Sequence, residues 1–256
     1  MRQYIAKRLL AMIPVLLGVS LLTFLIVRII PGDMATIILG EDASPAELAA
    51  LRDKLGLNRP LLVQYADWLG GLVRGDLGVS ERTGLAVGPE IASRLPVTIE
   101  LTLLAMLVSF AIAIPAGVVS AMRQDTWADY GVRLFSIGGL SIPEFWTGIL
   151  LLVIPVIWFG WAPNLSYVPL WQNPAANLQQ FMLPALAMGV SLSALVMRMT
   201  RSALLDVLRQ DYIRTANAKG LRERTVVVRH ALKNAFIPVV TILGLQLGRL
   251  LGGALS

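Results

Sequence analysis

Residues 9–30 have the sequence LLAMIPVLLGVSLLTFLIVRII, in which Arg28 is the one charged side chain. A helix needs about 20 consecutive, mostly apolar residues to cross the hydrocarbon core of a bilayer, so this stretch predicts a membrane span. A cleaved signal peptide is the alternative, because basic residues precede the run. The run is longer than the apolar part of a signal peptide and no small-x-small cleavage site follows it, which favours a retained span. The turn residues Pro31, Gly32 and Asp33 are expected to end the helix.

Four more runs of similar composition follow. None alternates apolar and polar residues as a barrel strand does, and each is too long for a core strand. Of the 256 residues, 56% are hydrophobic and 15% are charged, with a mean hydropathy of +0.70, which excludes an ordinary soluble domain. The pattern predicts an all-α integral membrane protein with a bundle of five visible spans, at residues 9–30, 97–122, 132–159, 178–199 and 236–256.

The distribution of basic residues predicts which side of the membrane each segment faces. Arg2, Lys7 and Arg8 place the N-terminus in the cytoplasm by the positive-inside rule. Segment 31–96 has six basic and nine acidic residues and is expected outside, whereas segment 198–235 has nine basic and three acidic residues and is expected inside. The excess in 198–235 equals the whole net charge of +6, and no aromatic residues interleave with it as in nucleic-acid binding. Membrane topology therefore explains the charge, and no nucleic-acid partner is expected.

An odd number of spans puts the two chain ends on opposite sides of the membrane. The fifth apolar run continues to Ser256 without polar residues after it. We therefore expect a sixth helix beyond the C-terminal residue of this sequence.

The outside segment 31–96 carries local helix signals. Ser44-Pro45-Ala46-Glu47 is a capping box with proline at the first helical position, and this helix is expected to stop at Gly56. A second helix is expected from about Pro60, because its apolar residues follow helical spacing. Two interpretations stay open: an amphipathic cap on the membrane surface, or a docking surface for an external partner.

The inside segment 198–235 predicts two short helices, at 201–217 and 223–236, that meet near Gly220. A solvated basic loop attracted to anionic lipid is the alternative. An ordered apolar stripe favours a shaped contact with another protein instead. The stripe consists of Leu204, Leu205, Leu208 and Tyr212.

Polar and helix-breaking residues inside the apolar runs are candidates for lining a pathway, because they are costly in lipid. Ser141, Pro143, Glu144 and Phe145 lie at one break, and Gln246 and Arg249 lie inside the fifth run. Arg249 is expected to face the bundle interior or to pair with a carboxylate. For Glu100 and Glu144 the alternative is a position near the interface, where water hydrates them, so Arg249 is the stronger candidate.

The sequence lacks several kinds of chemistry. It has no cysteine and one histidine, His230, which excludes disulfides and a multi-histidine metal site. It has no P-loop, no H-E-x-x-H and no G-x-S-x-G, so no nucleotide site, metal site or catalytic residue is expected in this chain. A pathway subunit with a separate energy source is favoured. An energy-independent channel or scaffold is the alternative, and a membrane-embedded enzyme lacks any candidate site.

Several motifs together resemble the permease subunits of bacterial ABC importers, in the dipeptide and oligopeptide branch. The resemblance covers nearly the whole chain. It rests on YIAKRLL at 4–10, PGD at 31–33, LNRPL at 57–61, GDLG at 75–78, RLPVT at 94–98, SIPEF at 141–145, DYIRTANAKGL at 211–221 and RHALKNA at 229–235.

The resemblance implies a type I importer-like permease domain over 1–256, with 31–96 as an external insertion and 198–235 as the cytoplasmic coupling segment. It implies a bacterial inner membrane location, a second related permease subunit, two ATPase subunits that bind ATP and Mg, and an external substrate-binding protein. Peptides are the expected cargo, with glutathione, nickel chelates and sugars left open. The implied ATPase-coupling residues are Asp211, Arg214, Thr215, Ala216, Lys219, Gly220 and Leu221.

Overall fold

The computed structural model describes residues 2–29, 34–40, 43–80, 83–162, 164 and 166–253. Over these residues the chain is helical, and its pairing of extended backbone is an isolated antiparallel bridge between Val79 and Ala86. The helices are α1 (Arg2–Ile29), α2 (Met34–Leu39), α3 (Pro45–Lys54), α4 (Leu61–Val73), α5 (Val87–Met122), α6 (Trp127–Ser141), α7 (Glu144–Phe159), α8 (Pro174–Leu208), α9 (Asp211–Ala218), α10 (Glu223–Thr225), a π-helical turn (Val226–Ala231) and α11 (Leu232–Gly253).

The prediction of an apolar helical bundle is confirmed. Among the described residues, four helical stretches are long and apolar enough to cross a membrane, at Arg2–Ile26, Val87–Met122, Pro174–Leu208 and Glu223–Gly252. The predicted span 132–159 is not a single straight helix, because α6 and α7 bend by 96° at Ile142 and Pro143. Each half is only about 22–24 Å long at 1.5 Å per residue, so the pair reaches span length only together. The predicted turn at 31–33 and the last residues of the fifth run, 254–256, lie outside the described residues.

The chain divides into two compact units, residues 1–93 and 94–256. In the first unit, aromatic rings join α1 to α4: the centroid of Phe24 lies 5.4 Å from Tyr65 and 6.0 Å from Trp68. The Tyr65 hydroxyl is also hydrogen-bonded to Ser20 at 2.8 Å. Segment 31–96 contains α3 and α4, as its helix signals predict. It also contains α2 and the first residues of α5, which were not predicted, and its role as an external insertion stays a prediction.

The capping-box prediction for α3 is confirmed in detail. The Glu47 backbone N–H donates to Ser44 Oγ, and the Ser44 backbone N–H donates to the Glu47 carboxylate at 3.0 Å. The helix ends at Lys54, and Gly56 follows in the left-handed region. Both ends are determined by neighbouring residues, which explains why sequence alone locates them.

In the second unit, α8 is the central helix and contacts α6, α7 and α11. Small residues let α5 approach it closely. A Cβ atom at Gly189 would lie 2.6 Å from the Val108 Cβ, and one at Gly117 would lie 2.8 Å from the Thr200 Cβ. Since helices in lipid associate by close packing more than by hydrophobic exclusion, these glycines hold the core of the unit together.

The predicted helical runs of the inside segment are only partly correct. Residues 201–217 do not form one helix, because α8 ends at Leu208 and α9 begins at Asp211. Tyr212 is therefore exposed on α9 and is not part of one stripe with Leu204. The second run continues into α11 through the π-helical turn, where the Leu232 N–H donates to the Val227 carbonyl five residues earlier.

Candidate coupling and pathway sites

Helix α9 carries the predicted coupling residues, and two of its apolar side chains attach it to the second unit. Ile213 and Ala216 lie three residues apart on one face, where both are buried. They belong to a core cluster with Leu204 of α8, Val226 of the π-helical turn, Ala121 of α5 and their neighbours. Helix α9 is therefore packed onto the ends of three other helical elements and is not a solvated loop.

The opposite face of α9 is exposed and polar. Arg214 Nη1 lies 3.3 Å from Asp211 Oδ1 in an exposed ion pair. The Thr215 hydroxyl donates to the Asp211 carbonyl at 2.9 Å, which keeps it on the helix. Lys219 and Leu221 follow as exposed residues, and Leu221 leaves 40% of its surface accessible. An exposed face with one apolar side chain beside basic groups is suited to contact another protein.

A glycine turn ends α9. Gly220 has φ +73°, its N–H donates to the Asn217 carbonyl at 2.9 Å, and the Leu221 N–H donates to the Ala216 carbonyl. These two bonds form a Schellman motif, which needs a left-handed residue at this position. Nothing in the described chain lies within 4 Å of a Cβ at Gly220, so backbone conformation and not crowding selects glycine here.

Ala216, which is one of the predicted coupling residues, lies on the packed face of α9 and not on its exposed face. Only 8% of the residue is accessible, and it packs against the protein's own core. The other six predicted coupling residues are exposed, and they lie on α9 or in the turn that follows it. Their role in coupling stays a prediction.

A buried polar cluster, which the sequence patterns do not predict, lies next to the residues that pack against α9. Asp129 of α6 has no accessible surface. Its carboxylate accepts hydrogen bonds from Arg201 Nε at 2.7 Å and Arg201 Nη2 at 2.8 Å, and from Ser120 Oγ at 2.5 Å. The Asp125 backbone N–H supplies a fourth bond at 3.1 Å. Each carboxylate oxygen thus accepts two hydrogen bonds, as a buried charge requires.

This cluster links three helices at one end of the second unit: Ser120 on α5, Asp129 on α6 and Arg201 on α8. Ala203 and Leu204 follow Arg201 on α8 and form part of the core under α9. The ion pair and the residues that pack against α9 therefore lie in the same part of α8. No local sequence pattern indicates that Arg201 pairs with Asp129.

The predicted pathway residues meet at the break between α6 and α7. Glu144 is the first residue of α7, and its Oε2 lies 3.3 Å from Nη2 of Arg249 on α11. Both line a cavity of about 660 Å³ that has otherwise mainly apolar walls, among them Phe145 and Met188. A second cavity of about 310 Å³ shares the pair and adds Pro143 and Gln246.

The expectation that Arg249 pairs with a carboxylate is met by this geometry. The pair is weakly held, because it has one hydrogen bond and Arg249 is largely exposed to the cavity side. Ser141 does not line either cavity with the pair; its hydroxyl donates to the Ile137 carbonyl of α6 at 2.9 Å.

Glu100 is not simply hydrated. The Tyr167 hydroxyl donates to Glu100 Oε2 at 3.2 Å, while Oε1 is buried without a hydrogen-bond partner among the described residues. Partial burial and the neighbouring Glu100 carboxylate raise the pKa of the Tyr167 phenol above its usual range. The connection from α7 to α8 is thus attached to α5 through Tyr167.

A bundle of apolar helices that seats a small polar helix at one end, with a charged pair in a cavity and no nucleotide motif, defines the membrane subunit of a transporter. The comparisons place the chain more closely. Residues 113–256 match the family described as binding-protein-dependent transport system inner membrane component, and residues 1–102 match its N-terminal membrane component. The chain belongs to this family. It is a multi-pass, non-catalytic membrane subunit, and membership implies a partner ATPase and a substrate-binding protein.

Curated relatives cover the whole chain. A dipeptide transport system permease of Alkalihalophilus pseudofirmus is 42% identical, over 100% of this chain and 83% of the relative. An oligopeptide transport system permease of Bacillus subtilis is 41% identical, over 99% and 81%. A glutathione transport system permease of Escherichia coli is 40% identical, over 100% and 81%. The resemblance deduced from the sequence motifs is therefore confirmed.

Proposed function

We propose that this chain forms half of the translocation pathway of an ATP-driven importer for short peptides in a bacterial inner membrane. The observation that carries the proposal is the packing of α9. Its buried residues Ile213 and Ala216 attach it to the bundle, and its exposed face is polar and is followed by the exposed Leu221. A protein without a nucleotide site needs such an element to receive motion from a separate ATPase. The relatives' names, which include dipeptide, oligopeptide and glutathione transport, support a peptide cargo.

The proposed assembly contains a second homologous permease subunit, two ATPase subunits that bind ATP and Mg, and a binding protein on the outside. In it, the exposed residues of α9 and its glycine turn dock into a groove on one ATPase. The Asp129–Arg201 pair joins α5, α6 and α8 beside that docking helix. Motion of α9 would then be passed to three helices together, and no single flexible connection has to carry it.

The orientation follows from charge. Contacts of Ser120, Asp129 and Arg201 put the end of α5, the start of α6 and the last turns of α8 on one side, and α9 lies on this side too. Segment 198–235 contains nine basic and three acidic residues, so the positive-inside rule makes this side cytoplasmic. The N-terminus is proposed to be cytoplasmic for the same reason, and 31–96 to be external.

The Glu144–Arg249 pair is proposed to line the pathway. A peptide carries an ammonium group and a carboxylate group, which are the same charges that face each other in the pair. Exchange of the internal partner for the two ends of a peptide replaces this one ion pair with two, Glu144 with the ammonium group and Arg249 with the carboxylate. The apolar walls beside the pair can receive side chains of varied shape, which suits a cargo of varied sequence.

The test is reconstitution in liposomes with the partner permease, the ATPase subunits and the binding protein. We expect labelled dipeptide to accumulate only when ATP is hydrolysed, with an ATPase variant that binds but does not hydrolyse ATP as the control. Flux through this chain alone, without ATPase subunits, would show an energy-independent channel and would contradict the proposal. Single cysteines introduced into this cysteine-free chain and labelled from one side test the orientation separately.

A further inference from the structure

A third cavity, of about 260 Å³, lies between α6 and α8 and is separate from the two cavities that contain the Glu144–Arg249 pair. It is unusually basic for a space between apolar helices. Three arginines line it, Arg133, Arg198 and Arg201, together with Ser202. Val132 and Ile137 complete it on the α6 side, so its wall is basic in one part and apolar in another.

The charges of this cavity are not balanced by the protein. Arg201 is neutralised by Asp129. Arg133 Cζ lies 5.6 Å from the Tyr130 ring centroid, which does not change the charge, and no carboxylate among the described residues pairs with Arg133 or Arg198. Three cations against one anion leave a net charge of +2 in the cavity. Arg133 and Arg198 are both exposed, so an anion from outside the protein can reach their guanidinium groups and neutralise this charge.

The outer face of α6 indicates where the anion comes from. Trp127, Tyr130, Leu134 and Ile137 follow one another at intervals of three or four residues, and all are exposed, Trp127 to 91%. Aromatic residues that precede aliphatic ones along a helix are typical of the boundary between headgroups and acyl chains. The basic cavity opens beside this face. A phosphate held by the arginines would therefore have apolar surface of α6 next to it, along which acyl chains can lie.

We propose that Arg133 and Arg198 bind the phosphate of an anionic phospholipid at the end of the bundle that carries α9. The chemistry shared with free phosphate is a phosphate oxygen that accepts hydrogen bonds from guanidinium groups, which suit it by their forked geometry. The membrane is the source, because the apolar rim of the site gives a lipid a contact that inorganic phosphate lacks. The lipid contacts both α6 and α8 next to the Asp129–Arg201 pair. It therefore stabilises the helices against which α9 packs.

The experiment uses the assembled transporter, delipidated in detergent and titrated with cardiolipin, phosphatidylglycerol or phosphatidylcholine, with bound lipid counted by native mass spectrometry. Arg133→Gln and Arg198→Gln should each weaken binding of the anionic lipids by about fivefold, since one basic residue at a membrane surface contributes that much. Arg209→Gln is the matched control, because Arg209 is exposed near the same end of α8 but does not line the cavity. Its affinity should equal that of the parent.

Three outcomes overturn the proposal. Equal binding of cardiolipin by the parent and by the Arg133→Gln, Arg198→Gln double variant shows that the cavity holds no lipid phosphate. Inorganic phosphate that displaces cardiolipin at similar concentration shows that the ligand is a soluble anion. Loss of a partner subunit from the double variant on size-exclusion chromatography, with lipid binding unchanged, shows that the arginines contact a protein carboxylate instead.

Discussion

Arg201 of α8 holds the fully buried carboxylate of Asp129 of α6 with two hydrogen bonds, from Nε at 2.7 Å and from Nη2 at 2.8 Å. This two-point contact restricts both distance and angle between the helices, which one bond to a lysine would not do. Leu204 of α8 packs against α9. The ion pair therefore also holds in place the helices against which α9 packs.

Removal of one member of this pair should destabilise the protein strongly. Asp129→Asn leaves the Arg201 charge without a counterion, and breaking a buried pair in this way costs roughly 3–5 kcal/mol. The change in unfolding free energy is measured by chemical denaturation in detergent. The control is Asp211→Asn, which breaks the exposed pair with Arg214 and should change stability by less than about 1 kcal/mol. Equal effects of the two substitutions would show that burial does not strengthen the Asp129 pair.

The packed face of α9 should respond to changes in size. Ile213→Ala removes a fully buried side chain and should cost roughly 2–5 kcal/mol. Ala216→Leu should cost about 1–3 kcal/mol by overpacking, because Ala216 faces the protein's own core. Asn217→Ala is the control on the exposed face of the same helix. If Ala216→Leu leaves stability unchanged and only weakens ATPase association, Ala216 belongs to the docking surface after all.

Substitutions of Gly220 separate backbone conformation from close contact. A residue with a Cβ in the left-handed region costs about 1–2 kcal/mol, and asparagine tolerates it best. Gly220→Asn should therefore retain most substrate-stimulated ATP hydrolysis in the assembled transporter, whereas Gly220→Val should lose it. Equal loss in both variants would mean that the ATPase groove itself excludes a side chain at this position, since none of the residues that the structure describes does so.

The Glu144–Arg249 pair should matter more to transport than to stability. Glu144→Gln and Arg249→Gln are each expected to change stability by less than about 1 kcal/mol, because the pair is exposed to its cavity. Both should abolish dipeptide uptake. The charge-swapped double variant, Glu144→Arg with Arg249→Glu, is informative: recovery of full uptake would show that the pair only holds two helices together, and continued loss supports contact with the cargo.

The capping box of α3 predicts that the stability of this helix depends on pH. Hydrogen bonds from the Ser44 hydroxyl and backbone lower the pKa of Glu47 below its ordinary value. The stabilising contribution is thus complete above the ordinary pKa of glutamate and is lost as pH falls through the lowered one. Titration of the Glu47 carboxyl carbon by NMR should show a higher midpoint in Ser44→Ala than in the parent. The same midpoint in both would contradict the capping contact.

A feature can be predicted from the sequence when the residues that determine it lie close together in the chain. Apolar runs and the Ser44–Glu47 box are local, so the spans and α3 were predictable. The partners Asp129 and Arg201 are 72 residues apart, and nothing around either residue specifies the other. The buried face of α9 was also not predictable, because eight residues do not indicate which side meets a neighbouring helix. The burial of Ala216 against the core was not predictable for this reason.

The bend at Ile142 and Pro143 shows an intermediate case. Proline removes a backbone donor, so a break at this position was expected. Its angle of 96° was not, since it depends on how α6 and α7 each pack on α8. The same packing brings Glu144 to Arg249, 105 residues later. A break at this position was thus predictable, and the pairing of Glu144 with Arg249 was not.

The π-helical turn at Val226–Ala231 determines how α11, which continues directly from it, is rotated about its own axis. An α-helix rotates about 100° for each residue and a π-helical turn rotates less, so conversion of this six-residue turn to α hydrogen bonding, with no residue deleted, would rotate α11 by roughly 100°. Arg249 would then point away from Glu144. A reversible exchange between π and α hydrogen bonding in this turn would therefore rotate α11 about its axis. The Glu144–Arg249 pair would form or break as the hydrogen bonding changes at the opposite end of α11.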